Sequence, residues 1–207
     1  MILEAIVTTL NSDGTINIAP MGPVVEDEAK GGLIFERFDL KPFETATTHA
    51  NLLRSGCGVL HVTDDVELFA LAALNRLDEA SVTTIPASSV DGAILSNCCR
   101  FYEFNVEFAD TSSPRATFKC RTVASGSRRE FFGFNRARHA VLEAAILATR
   151  IAFIPVEVIL RQFEDLRTIV AKTGGKNEIR AFETLEEYVR STTEDDRSSN
   201  VAKNAGA

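Results

Sequence analysis

The segment 2–20, ILEAIVTTLNSDGTINIAP, decides the fold that the sequence predicts. Ile2–Leu10 is apolar and rich in β-branched residues, which is typical of a strand with little solvent contact. Asn11–Gly14 is a tight-turn signal, because Asn and Gly tolerate the left-handed backbone conformations that such turns need. Thr15–Ala19 then returns as a second strand, so the chain is expected to begin with a β-hairpin.

Further strands are expected downstream of this hairpin. Phe101–Phe108 alternates apolar with polar residues, which indicates a half-buried strand whose polar face carries Glu103 and Glu107. The other predicted strands are Leu33–Phe38, Gly58–Val62, Ala116–Val123 and Glu130–Phe134. Two helices are predicted between them, Phe43–Leu53 and Val66–Leu77, the second with Asp64 or Asp65 as its N-cap. This pattern predicts an antiparallel sheet or barrel of six or seven strands.

The apolar period changes near residue 135 from that of strands to that of helices. Asn135–Ile151 carries one apolar stripe at helical spacing, and a second helix is expected from Pro155 to Lys172. A third is expected over Glu178–Arg190, where Thr184 and Glu187 have capping-box spacing that allows a break. The predicted organisation is a β core over 1–134, a helical extension over 135–190 and a disordered tail over 191–207.

Composition places the chain among ordinary globular proteins. Of its 207 residues, 45% are hydrophobic and 25% are charged. The 22 Lys and Arg against 29 Asp and Glu give a net charge of -7, which disfavours nucleic-acid binding. Residues 111–150 are different, because they hold eight basic and only two acidic side chains. This basic segment predicts either a site for an anionic ligand or a contact with the acidic half of the chain.

Several features of the sequence point to a cytoplasmic protein. The first residues lack the basic region of a signal peptide, and the most apolar stretch, 140–160, is interrupted by charges and a proline, so no membrane contact is expected. Four cysteines without C-x-x-C spacing indicate reduced structural thiols. Three scattered histidines show no metal-ligand spacing, so no metal site is expected.

Two segments carry side chains suited to binding a small anionic ligand. The hairpin holds Thr8 and Thr9 on one strand and Asn17–Pro20 at the end of the other. Later in the chain, Thr48 and Asn51 lie one turn apart at a predicted helix start, where helix N–H groups favour an anion. The residues alone also allow a structural role, with Thr48 and Asn51 as a helix cap and a solvated side chain.

Taken together, these segments resemble a known family. A strand ending in two threonines, an Asp-Gly turn, an N-x-A-P run and a T-x-x-N-L run are similar to the flavin-reductase-like FMN-binding split barrels. Val62–Asp65, Gly133–Arg136 and the helix 140–146 further resemble a domain-of-unknown-function family of split barrels in archaea and some bacteria. The resemblance spans roughly residues 1–190. It implies an antiparallel split β-barrel with a helical extension, bound FMN and a homodimer.

The resemblance also implies which residues contact the flavin. Small Ala19 and rigid Pro20 allow close approach of the ring, and Thr48 and Asn51 are expected to aim donors at the phosphate. Thr8 and Thr9 face opposite sides of their strand, so at most one hydroxyl faces the ligand. Arg37 or Lys41 is expected to supply charge. The full set of expected cofactor contacts is Thr8, Thr9, Asn17, Ile18, Ala19, Pro20, Arg37, Thr48, Asn51, Arg136 and His139.

Two departures from the family pattern affect the phosphate contacts. Gly22 stands where many flavin reductases have Ser, and Ala46-Thr47 replaces their Lys-Asp. Arg136 and His139 enter the set because they share one edge of the predicted helix from Asn135. There they would meet a ligand phosphate, a pterin or a substrate anion, or form a salt-bridged flank or dimer contact.

The sequence thus predicts an FMN-binding flavoprotein and a flavin-dependent oxidoreductase of unknown substrate. Hydride or electron transfer would belong to the flavin, so no side chain is assigned as catalytic. Two alternatives stay open: a non-catalytic FMN-binding or sensing module, and a binder of another phosphorylated or pterin-like cofactor. The expected partners are a second copy of the chain and a small-molecule electron donor or substrate.

Overall fold

A computed structural model describes residues 1–25 and 35–204, except the side chains of Glu79 and of residues 193–204. The strands in the described residues are β1 (Ala5–Leu10), β2 (Ile16–Met21), β3 (Val24–Val25), β4 (Arg37–Leu40), β5 (Cys57–Val62), β6 (Thr84–Pro86), β7 (Ala93–Leu95), β8 (Arg100–Asp110) and β9 (Thr117–Ser127). The helices are α1 (Thr47–Ser55), α2 (Val66–Ala73), α3 (Arg136–Ala148), α4 (Val156–Thr173) and α5 (Lys176–Asn204). The chain forms two compact units. One comprises residues 1–65 and 78–131, and the other comprises Val66–Leu77 and the chain from Phe132 onward.

The first unit is an antiparallel split barrel. Its main sheet has seven strands in the order β2-β1-β5-β8-β9-β4-β3. The chain just before β1 also pairs with β3 at the other end of the sheet, through a bridge between Ile2 and Val24. The Met1 amine donates to the Val25 carbonyl, and the Val25 N–H donates to the Met1 carbonyl, both at 2.9 Å. These bonds curl the sheet into a barrel and leave β2 as an edge strand.

The barrel interior is filled by large apolar side chains that alternate along each strand. Phe104 and Phe118 are fully buried, and the Phe38 ring meets the Phe104 ring edge-to-face at 5.3 Å between centroids. The rest of this core is Ala5, Val7, Val25, Phe35, Leu40, Leu52, Leu60, Tyr102, Ala116 and Cys120. Truncating a fully buried Phe in such a core costs about 3–5 kcal/mol.

The opposite face of the central strands carries polar side chains that hold the β6–β7 hairpin. The Thr8 hydroxyl donates to the Ala93 carbonyl at 2.6 Å. The Leu95 N–H donates to His61 Nε2 at 3.1 Å, and His61 Nδ1 lies 3.3 Å from the Ile6 carbonyl. Because Nε2 accepts, the proton of a neutral imidazole sits on Nδ1 and is donated to Ile6. This two-stranded hairpin was not predicted from the sequence.

Glu103 anchors the same hairpin and does not lie on an exposed face. Its carboxylate accepts the Ser88 N–H at 3.1 Å and the Ser89 N–H at 2.6 Å, and the residue is 1% exposed. Burial opposes ionisation, but these N–H donors hold the pKa of Glu103 below its usual range. The polar face predicted for β8 is therefore wrong at Glu103, whereas Glu107 is solvent-exposed.

The second unit is helical and includes α2, which the sequence places among the strands. Its core is built on α3, whose buried alanines allow neighbouring helices to approach closely. Asn135 caps α3 by accepting the Arg138 N–H at 3.1 Å. Arg180 on α5 forms an ion pair with Glu67 on α2, and Arg138 Nε donates to Glu178 Oε1 at 3.0 Å. None of the described helices is both long and apolar enough to cross a membrane.

The predicted fold class is confirmed, with corrections to individual elements. Glu130–Phe134 is not a strand, because the chain leaves the sheet there, and Gly133 adopts a left-handed φ of 105°. Helix α1 begins at Thr47 rather than Phe43, since Phe43 forms a β-bridge with Arg115. Helix α5 has no break at Thr184, and its backbone continues to Asn204, where the sequence suggested disorder. The first residues of the predicted strand 33–38 lie outside the described residues.

Candidate functional site

A cluster of neutral polar side chains lies where β1, β2 and α1 meet in the barrel unit. Thr9 Oγ1 accepts hydrogen bonds from Asn51 Nδ2 at 3.0 Å and from Asn17 Nδ2 at 3.2 Å. Asn17 Nδ2 also donates to Thr48 Oγ1 at 3.0 Å. We call Thr9, Asn17, Thr48 and Asn51 the amide–hydroxyl cluster. The structure thus brings together four residues from two distant segments that the sequence selected separately.

Local geometry explains why these four side chains converge. Thr9 and Asn17 are direct partners across the β1–β2 ladder, so their side chains leave the sheet on the same face. Thr48 and Asn51 are three residues apart on α1 and therefore share one side of the helix. That side faces the barrel: Thr48 is 1% exposed and Asn51 is 5% exposed. Below them, the Leu52 side chain enters the barrel core.

The N-terminus of α1 has no side-chain cap. The N-cap residue is Ala46, which is extended at φ -80° and ψ 140° and offers no hydrogen-bonding side chain. The first N–H groups of a helix have no carbonyl partner within the helix and carry partial positive charge. Thr45 and Thr47 flank Ala46 with exposed hydroxyls. This helix start therefore has the chemistry of an anion site.

A basic residue that sequence reasoning missed contacts the segment leading into α1. Arg115 pairs with Phe43 in a β-bridge, and its guanidinium lies 4.7 Å from the centre of the Phe43 ring. The Glu44 N–H donates to the Pro114 carbonyl at 3.1 Å and extends this contact. Arg115 belongs to the basic segment 111–150, but only the fold shows which of its charges lies beside this connection.

Ile18, Ala19 and Pro20 lie on β2, at the open edge of the sheet. Ile18 is buried, whereas Ala19 and Pro20 are half-buried. Their ladder partners on β1 are Thr8 for Ile18 and Val7 for Ala19. A proline is tolerated in an edge strand because its missing N–H breaks no ladder bond. The unpaired edge of β2 therefore presents main-chain polar groups, and the side chains beside them, such as Ala19, are small.

The amide–hydroxyl cluster also excludes Thr8, Arg37 and Lys41. Thr8 lies on the opposite face of β1 from Thr9 and donates its hydroxyl proton to Ala93, as the strand period requires. Arg37 on β4 is exposed, and its Nε lies 3.4 Å from Glu107 Oε2, an ion pair that contributes little at the surface. Lys41, the alternative source of charge, is exposed just after β4.

Arg136 and His139 belong to the helical unit. Both are exposed on α3, as is Glu143, and Arg150 is exposed just after the helix, so the edge predicted from their spacing is a solvated one. The His139 ring lies beside that of Phe134, with 5.9 Å between ring centroids.

Burial makes the Cys98 and Cys99 thiols poor candidates for nucleophilic chemistry. All four cysteines are free and buried. Burial raises the pKa of Cys98 to about 11 and also raises the pKa of Cys99, although Arg129 opposes the second shift. A thiol that stays protonated at neutral pH is a poor nucleophile. The described residues also hold no group of three side chains suited to a metal ion.

The first unit has a split-barrel fold like that of flavin-reductase-like proteins, and the second unit is helical. Family models make the assignment specific. One, described as "Protein of unknown function (DUF447) N-terminal domain", matches residues 3–129, and a second, "Protein of unknown function (DUF447)", matches residues 135–187. The chain therefore belongs to the DUF447 family. This confirms the family resemblance seen in the sequence.

Solved structures with the same fold include a member of this family. An FMN-bound DUF447 protein from Methanosarcina mazei is 22% identical, covers 90% of this chain and 94% of its own, and has a TM-score of 0.75. A flavoredoxin from Methanosarcina acetivorans is 11% identical, covers 61% of this chain and 68% of its own, and has a TM-score of 0.51. No curated protein sequence matches significantly. At these identities the structural matches establish the fold.

Proposed function

We propose that this protein is a flavoprotein that binds FMN non-covalently at the β1–β2–α1 site. The main support is the FMN-bound DUF447 protein, whose fold matches 90% of this chain at a TM-score of 0.75. Both units of the chain also match DUF447 models. Function does not follow from fold alone, so the proposal also depends on whether this chain's own residues suit the cofactor.

The residues at the site suit a phosphorylated flavin. The uncapped N-terminus of α1 and the exposed Thr45 and Thr47 hydroxyls provide hydrogen-bond donors for a phosphate dianion. Arg115, which contacts the connection into α1, supplies positive charge on the same side of the barrel unit. The edge of β2 along Asn17–Pro20 provides main-chain donors and acceptors for the polar edge of the ring, and Ala19 leaves room for it.

The chain's own contribution is binding and orientation. FMN supplies hydride and electron transfer when bound. The amide–hydroxyl cluster contains no side chain that ionises near neutral pH, so it has no general acid or base to offer. We therefore propose an FMN-dependent oxidoreductase in which these residues hold the cofactor, and a small-molecule electron donor or substrate completes the reaction.

We further propose a homodimer formed partly by aromatic side chains. Phe132 is 82% exposed and Phe134 is 90% exposed, and both belong to the helical unit. Large apolar side chains with so much solvent contact favour burial against a protein partner. Light scattering on the purified protein measures the mass directly, and a monomer at micromolar concentration would exclude the homodimer.

The first test is the visible spectrum of the purified protein, followed by titration with FMN. The absence of yellow colour together with no FMN binding at micromolar concentration would overturn the proposal. The phosphate site is tested by replacing both Thr45 and Thr47 with Val, which keeps their shape. This variant should bind FMN about tenfold more weakly while its affinity for riboflavin, which lacks the phosphate, stays unchanged.

Anaerobic mixing with NADH or NADPH then separates an oxidoreductase from a binding module. Bleaching of the flavin absorbance by a donor, followed by turnover with an acceptor, supports the enzyme. A protein that binds FMN tightly but shows no turnover with either donor supports the non-catalytic module.

A further inference from the structure

The β1–β2 turn carries a chain of hydrogen bonds whose direction is set by a carboxylate. The Thr15 hydroxyl donates to Asp13 Oδ1 at 2.6 Å, and the Thr15 N–H donates to the same oxygen at 2.9 Å. These bonds lower the pKa of Asp13, so it is ionised at neutral pH and only accepts. The single proton of the Thr15 hydroxyl is therefore committed to Asp13, and Thr15 Oγ1 accepts from any further partner.

Because Thr15 Oγ1 can only accept a further hydrogen bond, it also fixes the orientation of the Asn11 side-chain amide. The Asn11 atom that faces Thr15 Oγ1, at 2.9 Å, has to donate and is therefore Nδ2. The other end of that amide is then Oδ1, which only accepts. It accepts from Asn51 Nδ2 at 2.9 Å. An exposed carboxylate in a hairpin turn thus determines which end of the buried Asn51 amide faces the turn.

The side-chain oxygen of Asn51, Oδ1, has no hydrogen-bond partner among the described protein groups. Asn51 Nδ2 has two protons, and both are used, one on Asn11 and one on Thr9. Within residues 1–25 and 35–192, no protein donor reaches Asn51 Oδ1. Since no fully buried side-chain nitrogen or oxygen in the described residues lacks a partner, this oxygen must retain access to solvent. It belongs to a residue that is only 5% exposed, so the access is narrow.

We propose that Asp13, Thr15 and Asn11, which we call the turn relay, position Asn51 so that its carbonyl oxygen accepts a hydrogen bond from the bound ligand. The inference rests on the proposed function and refines it. A phosphate dianion has acceptors and no donor, so it does not pair with Asn51 Oδ1. The group recognised there is a donor of the riboflavin portion, a hydroxyl of its side chain or the ring imide N–H. Asn51 therefore does not donate to the phosphate, which differs from the role expected from the sequence.

The test compares FMN with riboflavin in variants of the turn. Asn11→Ala removes the partner that orients Asn51, and Thr15→Val removes the hydroxyl that orients Asn11 without changing shape. Both variants should bind FMN and riboflavin about tenfold more weakly, the equivalent of one misplaced hydrogen bond, and the ratio of the two dissociation constants should not change. Thr15→Ser, which restores the hydroxyl, should recover the lost affinity.

Ser12→Ala is the matched control, because Ser12 is exposed in the same turn and lies outside the relay. It should leave both dissociation constants unchanged. If Asn11→Ala fails to fold, Thr15→Val and its Ser rescue carry the test, because they alter only a surface hydroxyl.

Two results would overturn the inference while leaving FMN binding intact. One is unchanged affinity for both flavins in the relay variants. The other is a loss confined to FMN, since it would put Asn51 at the phosphate. Failure of the unaltered protein to bind either flavin is a different outcome, and it overturns the proposed function and this inference together.

Discussion

His61 gives the sharpest stability prediction, because it is fully buried and both of its ring nitrogens are engaged. Burial lowers the pKa of His61 from 6.5 to about 4, although the hydrogen bond to the Ile6 carbonyl acts in the opposite direction. Protonating Nε2 would place a proton against the Leu95 N–H, which now donates to that nitrogen at 3.1 Å. The folded protein therefore keeps a neutral imidazole, whereas the unfolded chain protonates it below its ordinary pKa.

The difference between the folded and unfolded pKa of His61 sets the sign and size of the change in the free energy of unfolding with pH. A histidine with a lowered folded pKa contributes stability that is fully present above pH 6.5 and is lost as the pH falls toward about 4. Each unit of pKa difference is worth about 1.4 kcal/mol, so the loss from this one residue approaches about 3 kcal/mol near pH 4. That is a large part of the stability of a typical domain.

The assay is urea unfolding of the unaltered protein and of His61→Gln at about pH 7 and near pH 4. The Gln side chain retains an acceptor for Leu95 and a donor for Ile6 but does not titrate. Between these pH values the unaltered protein should lose about 3 kcal/mol more stability than the variant, because carboxylate effects common to both cancel. Equal losses in the two proteins would refute the reasoning, as would an NMR titration of His61 with a midpoint near 6.5.

Three further substitutions test other contacts. Thr9→Val leaves the Asn17 and Asn51 amides without their shared acceptor and should lower the free energy of unfolding in urea by about 1–3 kcal/mol. A loss below about 0.5 kcal/mol would show that these hydrogen bonds do not stabilise the fold. Glu103→Gln weakens the anchor of the β6–β7 hairpin and should cost about 1–2 kcal/mol. It should also speed proteolytic cleavage within residues 87–92, and an unchanged digestion rate would argue against the anchor. Gly56→Ala should cost about 1 kcal/mol in thermal or urea unfolding, because its φ of 66° is left-handed while no atom blocks a Cβ. Unchanged stability of this variant would contradict the expected cost of a left-handed φ for alanine.

Much of the fold was predictable because its signals are local. The Asn11–Gly14 turn forms with Gly14 at a φ of 85°, and strands follow on either side of it as expected. The apolar stripe from residue 135 produces α3 with its alanines buried. Turn residues and apolar periodicity depend on neighbours in sequence, so they predict strands and helices without information on the rest of the chain.

The errors in the predicted fold arise where distant contacts override local pattern. Alternation along β8 predicted an exposed Glu103, but the hairpin β6–β7 covers that face and supplies N–H donors to its carboxylate. Helix α2 looked like an insertion between strands, yet its partners are α3 and α5, which lie far away in sequence. No short window of sequence contains the groups that decide these environments.

For the candidate site, the sequence by itself determined the residue types: hydroxyls and amides at Thr9, Asn17, Thr48 and Asn51, and the rule that Thr8 and Thr9 point to opposite faces. Only the tertiary structure decided what each one does. It used the Thr8 hydroxyl to hold a hairpin and joined the other four into one cluster. It also linked Asn51 to Asp13 through the hydrogen bonds of Asn11 and Thr15. The physical reason is that strand and helix periods specify which face a side chain occupies, whereas the direction of a hydrogen bond depends on partners that only folding brings within 3 Å.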